Sequence, residues 1–240
     1  MNKANLIEEP GAVISRLAEL GIPNAELLRE AIAEGEVSKA AFHKNVPAMA
    51  IGCAGWGVTV GATRNRLAPH GWIASSEGRL ETTFNPLTMV AIAVTTGDEA
   101  TGQTGQTPRT KHQKGIATER AIDKNNKQLS LLSRLDPNHP DFVQAGKPDI
   151  GRADDTDVDD AVVEVAENVM LWELLKFRDK NEIRCELSLP SGYGVDGVVH
   201  SWAERIILKP IDLDGARKAV KPAEPTPAID LQVKRRNRAG

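Results

Sequence analysis

Aromatic residues are scarce in this sequence, at 4% of 240 residues, so a hydrophobic core has to be built mainly from Leu, Ile, Val and Ala. The two cysteines, Cys53 and Cys185, are too few for a disulfide scaffold, and their apolar neighbours predict two buried thiols. No apolar run approaches the roughly 20 residues that span a membrane, and the first ten residues contain no apolar signal region. We therefore expect a cytoplasmic, bacterial protein without a membrane partner.

The sequence also lacks a strong excess of charge of one sign. Its net charge of −3 excludes a whole-chain attraction to nucleic acid or to a membrane surface. Charge is instead segregated within a polar stretch that begins at Gly97. Residues 97–134 hold seven basic and four acidic side chains, whereas residues 149–167 hold eight carboxylates against one cation, Arg152. The polar stretch therefore consists of two segments of opposite sign, and the chain contains no internal repeat.

Hydrophobic patterning predicts an α+β fold with a helical N-terminal half, a long charged insert and an antiparallel C-terminal β-sheet. We predict a helical region with a hairpin and a strand at 1–96, and a polar, partly disordered insert at 97–160. An antiparallel sheet follows at 161–220, and a proline-rich tether with a basic tail occupies 221–240. The sequence leaves open whether residues 90–96 join the C-terminal sheet, which would make one interrupted domain rather than two.

The order of elements in the N-terminal half is that of a winged helix. Helices are predicted at 10–20, 24–34 and 57–68, followed by a hairpin at 72–84, and glycines are expected to end the first two helices. Residues 36–55 are too long for the turn of a helix-turn-helix. An ordinary helical cap on a small sheet is therefore the alternative.

Two stretches approach ligand-binding motifs without completing them. Residues 97–104, GDEATGQT, have the spacing of a P-loop, but Gln103 replaces the lysine that contacts the β and γ phosphates. Residues 155–159, DTDVD, open like a calcium loop, but Asp160 stands where that loop requires glycine. We therefore predict no cofactor and no metal, and we expect a flexible loop at 97–104.

Three basic patches, separated in the sequence, are suited to contacts with nucleic-acid phosphates. They are the exposed side of the third helix, the loop at 109–114 and the tail. Their members are Arg64, Arg66, Arg109, Lys111, Lys114, Lys234, Arg235 and Arg236. Convergence of these patches on one face would form a binding surface for DNA or RNA. The leading prediction is a non-catalytic accessory protein whose binding to nucleic acid is sensitive to salt.

Two alternatives come from other functional classes. One is a metal-dependent hydrolase that uses the acidic segment together with Glu186 and Glu204, which could form a pair of carboxylates on adjacent strands. The other is a scaffold subunit of a larger protein complex, in which the polar insert and the tail become ordered on a partner. The sequence favours binding over catalysis because no complete catalytic motif is present.

Overall fold

The computed structural model describes residues 4–134 and 168–212, which contain helices and one seven-stranded sheet. The α+β class is therefore confirmed. The acidic segment at 149–167 and the basic tail with Lys234, Arg235 and Arg236 lie outside the described residues. Within the described ranges, no helix combines the length and the apolar character needed to cross a membrane.

The described residues form four α-helices and seven β-strands. The helices are α1 (Pro10–Glu19), α2 (Ala25–Ala40), α3 (Ala48–Leu67) and α4 (Ile116–Arg134). The strands are β1 (Asn5–Ile7), β2 (Ile73–Ser75), β3 (Thr82–Asn85), β4 (Val90–Thr96), β5 (Met170–Arg178), β6 (Glu182–Tyr193) and β7 (Val199–Asp212).

The sheet is mixed, with the strand order β1-β7-β6-β5-β4-β3-β2. Strand β6 pairs antiparallel with both β5 and β7, as predicted, but β4 pairs parallel to β5 and β1 pairs parallel to β7. The antiparallel pairing predicted for the C-terminal strands is thus present, but an antiparallel sheet is not confirmed, because these strands belong to a larger mixed sheet. The winged helix is not confirmed either, because the β2–β3 hairpin continues through β4 into the large sheet.

Successive side chains of the central strands point to opposite faces of the sheet, and both faces are buried. Helices α1, α2 and α3 cover one of them, which we call the three-helix face, and α4 and residues 97–115 cover the other, the α4 face. The larger core lies on the three-helix face and includes Leu17, Leu28, Ile32, Ile92, Trp172, Leu174, Leu187 and Ile206. On the α4 face, Ile122 packs with Leu175, Val199 and Trp202.

Helices α2 and α3 are longer than predicted and pack closely. Gly35 does not end α2, which continues to Ala40, and the apolar segment from Ala48 belongs to α3 rather than to a loop. A Cβ atom on Gly35 would lie 2.6 Å from the Gly55 carbonyl oxygen and would overlap Thr59 Oγ1. Glycine is therefore required at this position because the two helices approach each other there, not because the helix stops.

The two cysteines differ in their environment. Cys185 lies in the core on β6, where burial raises the pKa of its thiol to about 12. Cys53 is exposed, because α3 turns that side toward solvent. The prediction of a buried thiol is thus confirmed for Cys185 and wrong for Cys53.

Substitution of Gly35 by Ala tests the close approach of α2 and α3. We expect Gly35→Ala to lower the free energy of unfolding by about 1 to 3 kcal/mol, because the added methyl forces the helices apart. The matched control is Gly57→Ala on the exposed side of α3, where a Cβ meets no atom within 4 Å. It should raise stability by up to about 1 kcal/mol through helix propensity. Urea denaturation measures both, and equal stabilities of Gly35→Ala and the wild type would contradict the packing argument.

Candidate functional site

The two arginines of α3 that were predicted to contact nucleic acid form ion pairs within the protein. Arg64 pairs with Glu81 at 2.7 Å and donates to backbone carbonyls of the β2–β3 hairpin. Arg66 pairs with Glu30 at 3.3 Å and with Glu34 at 2.9 Å. Both guanidinium groups therefore fasten α3 to neighbouring elements.

The basic loop residues have three different environments. Arg109 forms an ion pair with Asp196 at 2.8 Å, and each side chain is about half exposed. Lys114 points into the protein, where its Nζ atom donates to Thr95 and lies 2.9 Å from the buried Glu173 carboxylate. Lys111 is exposed and has no ion-pair partner among the described residues. It lines a pocket that includes neither Arg64 nor Arg66.

Glu186 and Glu204 lie on adjacent strands but face opposite sides of the sheet. Glu186 is fully buried on the α4 face and forms a bidentate pair with Arg205, at 2.6 and 3.0 Å. Glu204 pairs with Arg16 of α1 on the three-helix face, at 2.6 Å. The structure therefore does not bring the two carboxylates together. The described residues also contain no group of three or more side chains that could hold a metal ion.

The Glu186–Arg205 pair anchors residues 97–115 to the sheet. The Gly102 amide donates to the Glu186 carboxylate at 2.8 Å. Arg205 donates to the backbone carbonyl oxygens of Gln103 and Gln106, at 3.0 and 2.7 Å. This segment therefore differs from the flexible loop expected from its glycines and threonines. Gln103, which breaks the P-loop pattern, contributes its backbone carbonyl to this anchoring.

A pocket of about 380 Å³ opens at the carboxyl ends of β4 and β5, and we call it the strand-end pocket. Strand ends of this kind are common ligand sites in open sheets that contain parallel strands. Four basic and three acidic side chains line the pocket: Lys39, Lys111, Lys176, Arg178, Glu36, Asp98 and Glu99. It therefore combines residues from α2, from β5 and from the anchored segment after β4.

Three cations surround one buried carboxylate at the base of this pocket. Glu36, 4% exposed, pairs with Lys176 at 3.3 Å, with Arg178 at 3.4 Å and also with Lys39. Lys176 is itself 4% exposed, and its Nζ atom donates to Thr59 Oγ1 at 2.9 Å. A single negative charge cannot neutralise three positive ones, so this cluster has an excess of positive charge.

Burial and charge act in opposite directions on these groups. Burial lowers the pKa of Lys176 to about 8, although the nearby Glu36 charge raises it in part. Burial acts to raise the pKa of Glu36, but hydrogen bonds and charges from Lys39 and Lys176 together hold it below its ordinary value. At neutral pH, the Glu36 carboxylate is ionised and Lys176 is protonated.

The sequence contains a signal for this site, although only the fold makes it interpretable. Lys176 interrupts the apolar strand MLWELLKFR, which is unusual for a central strand. The position of Glu36 beside it depends on how α2 packs on the sheet. Comparisons with known proteins add nothing further: no family model matches the chain, and no curated protein or solved structure matches it significantly.

Substitution of Lys176 by Met tests the burial of this ammonium group. The lysine loses its proton near pH 8 in the folded protein and near its ordinary pKa of 10.5 when unfolded. Between pH 8 and pH 10.5 the unfolded protein therefore binds more protons than the folded protein. The free energy of unfolding of the wild type accordingly rises with pH in this range. Lys176→Met lacks this gain, so its stability relative to the wild type should fall by roughly 2 to 4 kcal/mol across the window.

Urea unfolding at a series of pH values measures this difference. The matched control is Lys209→Met, which removes an exposed lysine on β7 and should leave the pH dependence of the wild type intact. Parallel pH profiles for Lys176→Met and the wild type would contradict the lowered pKa.

Proposed function

We propose that this protein binds a phosphate-bearing small molecule in the strand-end pocket. The observation that carries this proposal is the cluster of three cations around the single carboxylate of Glu36. Keeping uncompensated positive charge in a partly dehydrated site costs free energy, and a bound anion would offset that cost. The side chain of Arg178 is 44% exposed, so its guanidinium can present donors to a ligand as well as to Glu36.

The side chains at the mouth of the pocket restrict the chemical class of ligand that it can bind. Lys111 supplies a fourth cation there, and it has no ion-pair partner within residues 4–134 and 168–212. Asp98 and Glu99 line the same pocket and would repel a compact, highly charged anion. Carboxylates accept hydrogen bonds from hydroxyl and amino groups. We therefore propose a phosphate monoester whose remaining part has such groups, as sugar phosphates and nucleotides do.

Direct titration tests this proposal. Adenosine monophosphate should bind saturably by calorimetry, and Lys111→Gln and Arg178→Gln should each weaken binding about tenfold, which is typical for loss of one charge-assisted hydrogen bond. Lys209→Gln removes a lysine outside the pocket and should leave the affinity unchanged. Affinity that is the same in all four proteins, or absence of saturable binding, would contradict the proposal.

A nucleic acid is the second candidate ligand, and the exposed positions of Arg109 and Lys111 favour it. If the protein binds a nucleic acid, a single-stranded oligonucleotide should bind with an affinity that falls steeply between low and moderate salt, because phosphate contacts release counterions. Fluorescence anisotropy measures this dependence, and adenosine monophosphate should compete for the same site. An oligonucleotide affinity that does not change with salt would exclude this candidate.

The hydrolase and scaffold alternatives depend in part on residues outside the described ranges. The hydrolase requires the acidic segment at 149–167, and the scaffold requires the polar insert at 97–160, described as far as residue 134, and the tail. Both alternatives stay predictions. Glu186 and Glu204, which the hydrolase would use with that segment, face opposite sides of the sheet and so do not form a pair with each other.

A further inference from the structure

A second, apolar cleft lies on the α4 face, away from the strand-end pocket. Helix α4 contacts β5 and β6, and its buried Asn125 fixes this position by bonding to backbone atoms of Leu171 and Pro190. Strands β3 and β4 therefore lie to one side of α4, and the helix does not cover their α4 face. A cleft of about 450 Å³ occupies this space, within the usual range of about 300 to 1,000 Å³ for small-molecule sites.

The floor and walls of the cleft are mostly apolar. Phe84 of β3, Ala91 of β4 and Leu171 of β5 line it, together with Leu80. From α4, Ala117 and Ala121 face the cleft one turn apart, and their small side chains leave the space open. The residues of α4 that line the cleft run from Ala117 to Lys124, which corresponds to about 10 Å along the helix axis. The cleft therefore suits an elongated apolar ligand.

One edge of the cleft is positively charged. Arg120 of α4 lines it, and Lys124 and the carboxylate of Glu77 lie at the same cleft. The Arg120 guanidinium is exposed and forms no ion pair with any described residue. A guanidinium beside an apolar floor is complementary to a carboxylate attached to a hydrocarbon body, because the fork of N–H donors matches the two carboxylate oxygens. A polar phosphate ester would instead leave the apolar floor exposed to water.

We propose that this cleft binds an apolar monocarboxylate, with the hydrocarbon body on Phe84, Ala91 and Leu171 and the carboxylate on Arg120. The proposed ligand is an aliphatic acid of medium length. This site is separate from the strand-end pocket and shares no lining residue with it.

Calorimetric titration of the full chain with decanoate, below its micelle concentration, tests the proposal. The wild type should bind saturably, and Arg120→Gln should weaken decanoate about tenfold while leaving the uncharged analogue decanol unaffected. Ala121→Leu fills the cleft and should abolish binding of both compounds. Lys127→Gln removes a cation of α4 outside the cleft and should change neither affinity.

A thermal melt shows whether Ala121→Leu is folded, and adenosine monophosphate binding by that variant shows whether the strand-end pocket is independent of the cleft. Decanoate binding that Ala121→Leu leaves intact, or no saturable binding by the wild type, overturns the proposal. Decanoate affinity that Arg120→Gln does not change overturns the assignment of the carboxylate to Arg120.

Discussion

The buried ion pair between Arg205 and Glu186 is the interaction on which the arrangement of both candidate sites depends. These two side chains are almost completely buried. Both also form hydrogen bonds with the backbone of residues 97–115, and Glu186 accepts a further one from the Ser188 hydroxyl. That segment places Asp98 and Lys111 at the strand-end pocket and leads directly into α4. An ion pair at this depth specifies position more than it adds stability, because desolvation offsets much of its attraction.

Charge is buried on both faces of the sheet, but with different consequences. On the α4 face, burial raises the pKa of Glu173, and Lys114 offsets this effect only in part. There the charges are nearly balanced and covered by protein. On the three-helix face, Lys176 belongs to a cluster with more cations than anions, and this cluster opens to solvent. The proposed binding site rests on this local excess of cations around Glu36, because the whole pocket, with four basic and three acidic side chains, is close to neutral.

Local features of the fold could be predicted from the sequence where one residue type has one physical role. Asn24 caps α2 by accepting from the Glu26 amide, and Ile183, Cys185 and Leu187 alternate into the larger core. The alternation does not show that the opposite face of β6, with Arg184, Glu186 and Ser188, is buried as well. The first half of α3 could not be predicted, because its glycines and apolar residues show no helical period. Local sequence patterns also could not predict that β4 pairs parallel to β5. The strand-end pocket could not be predicted either, because the role of Lys176 depends on the positions of Glu36 and Lys111 beside it in the fold.

The pairing of β1 with β7 has a consequence for how the chain folds during synthesis. Residues 5–7 lie beside residues 204–206, so the first strand acquires its neighbour only after almost the whole described chain has been made. Contacts between residues so distant in sequence require closure of a long loop, which costs entropy, and such contacts slow folding. The N-terminal helices are neighbours in sequence and can associate early, whereas β1 can pair only once β7 is present. Until then, the outer side of β7 is an open edge to which another chain could pair.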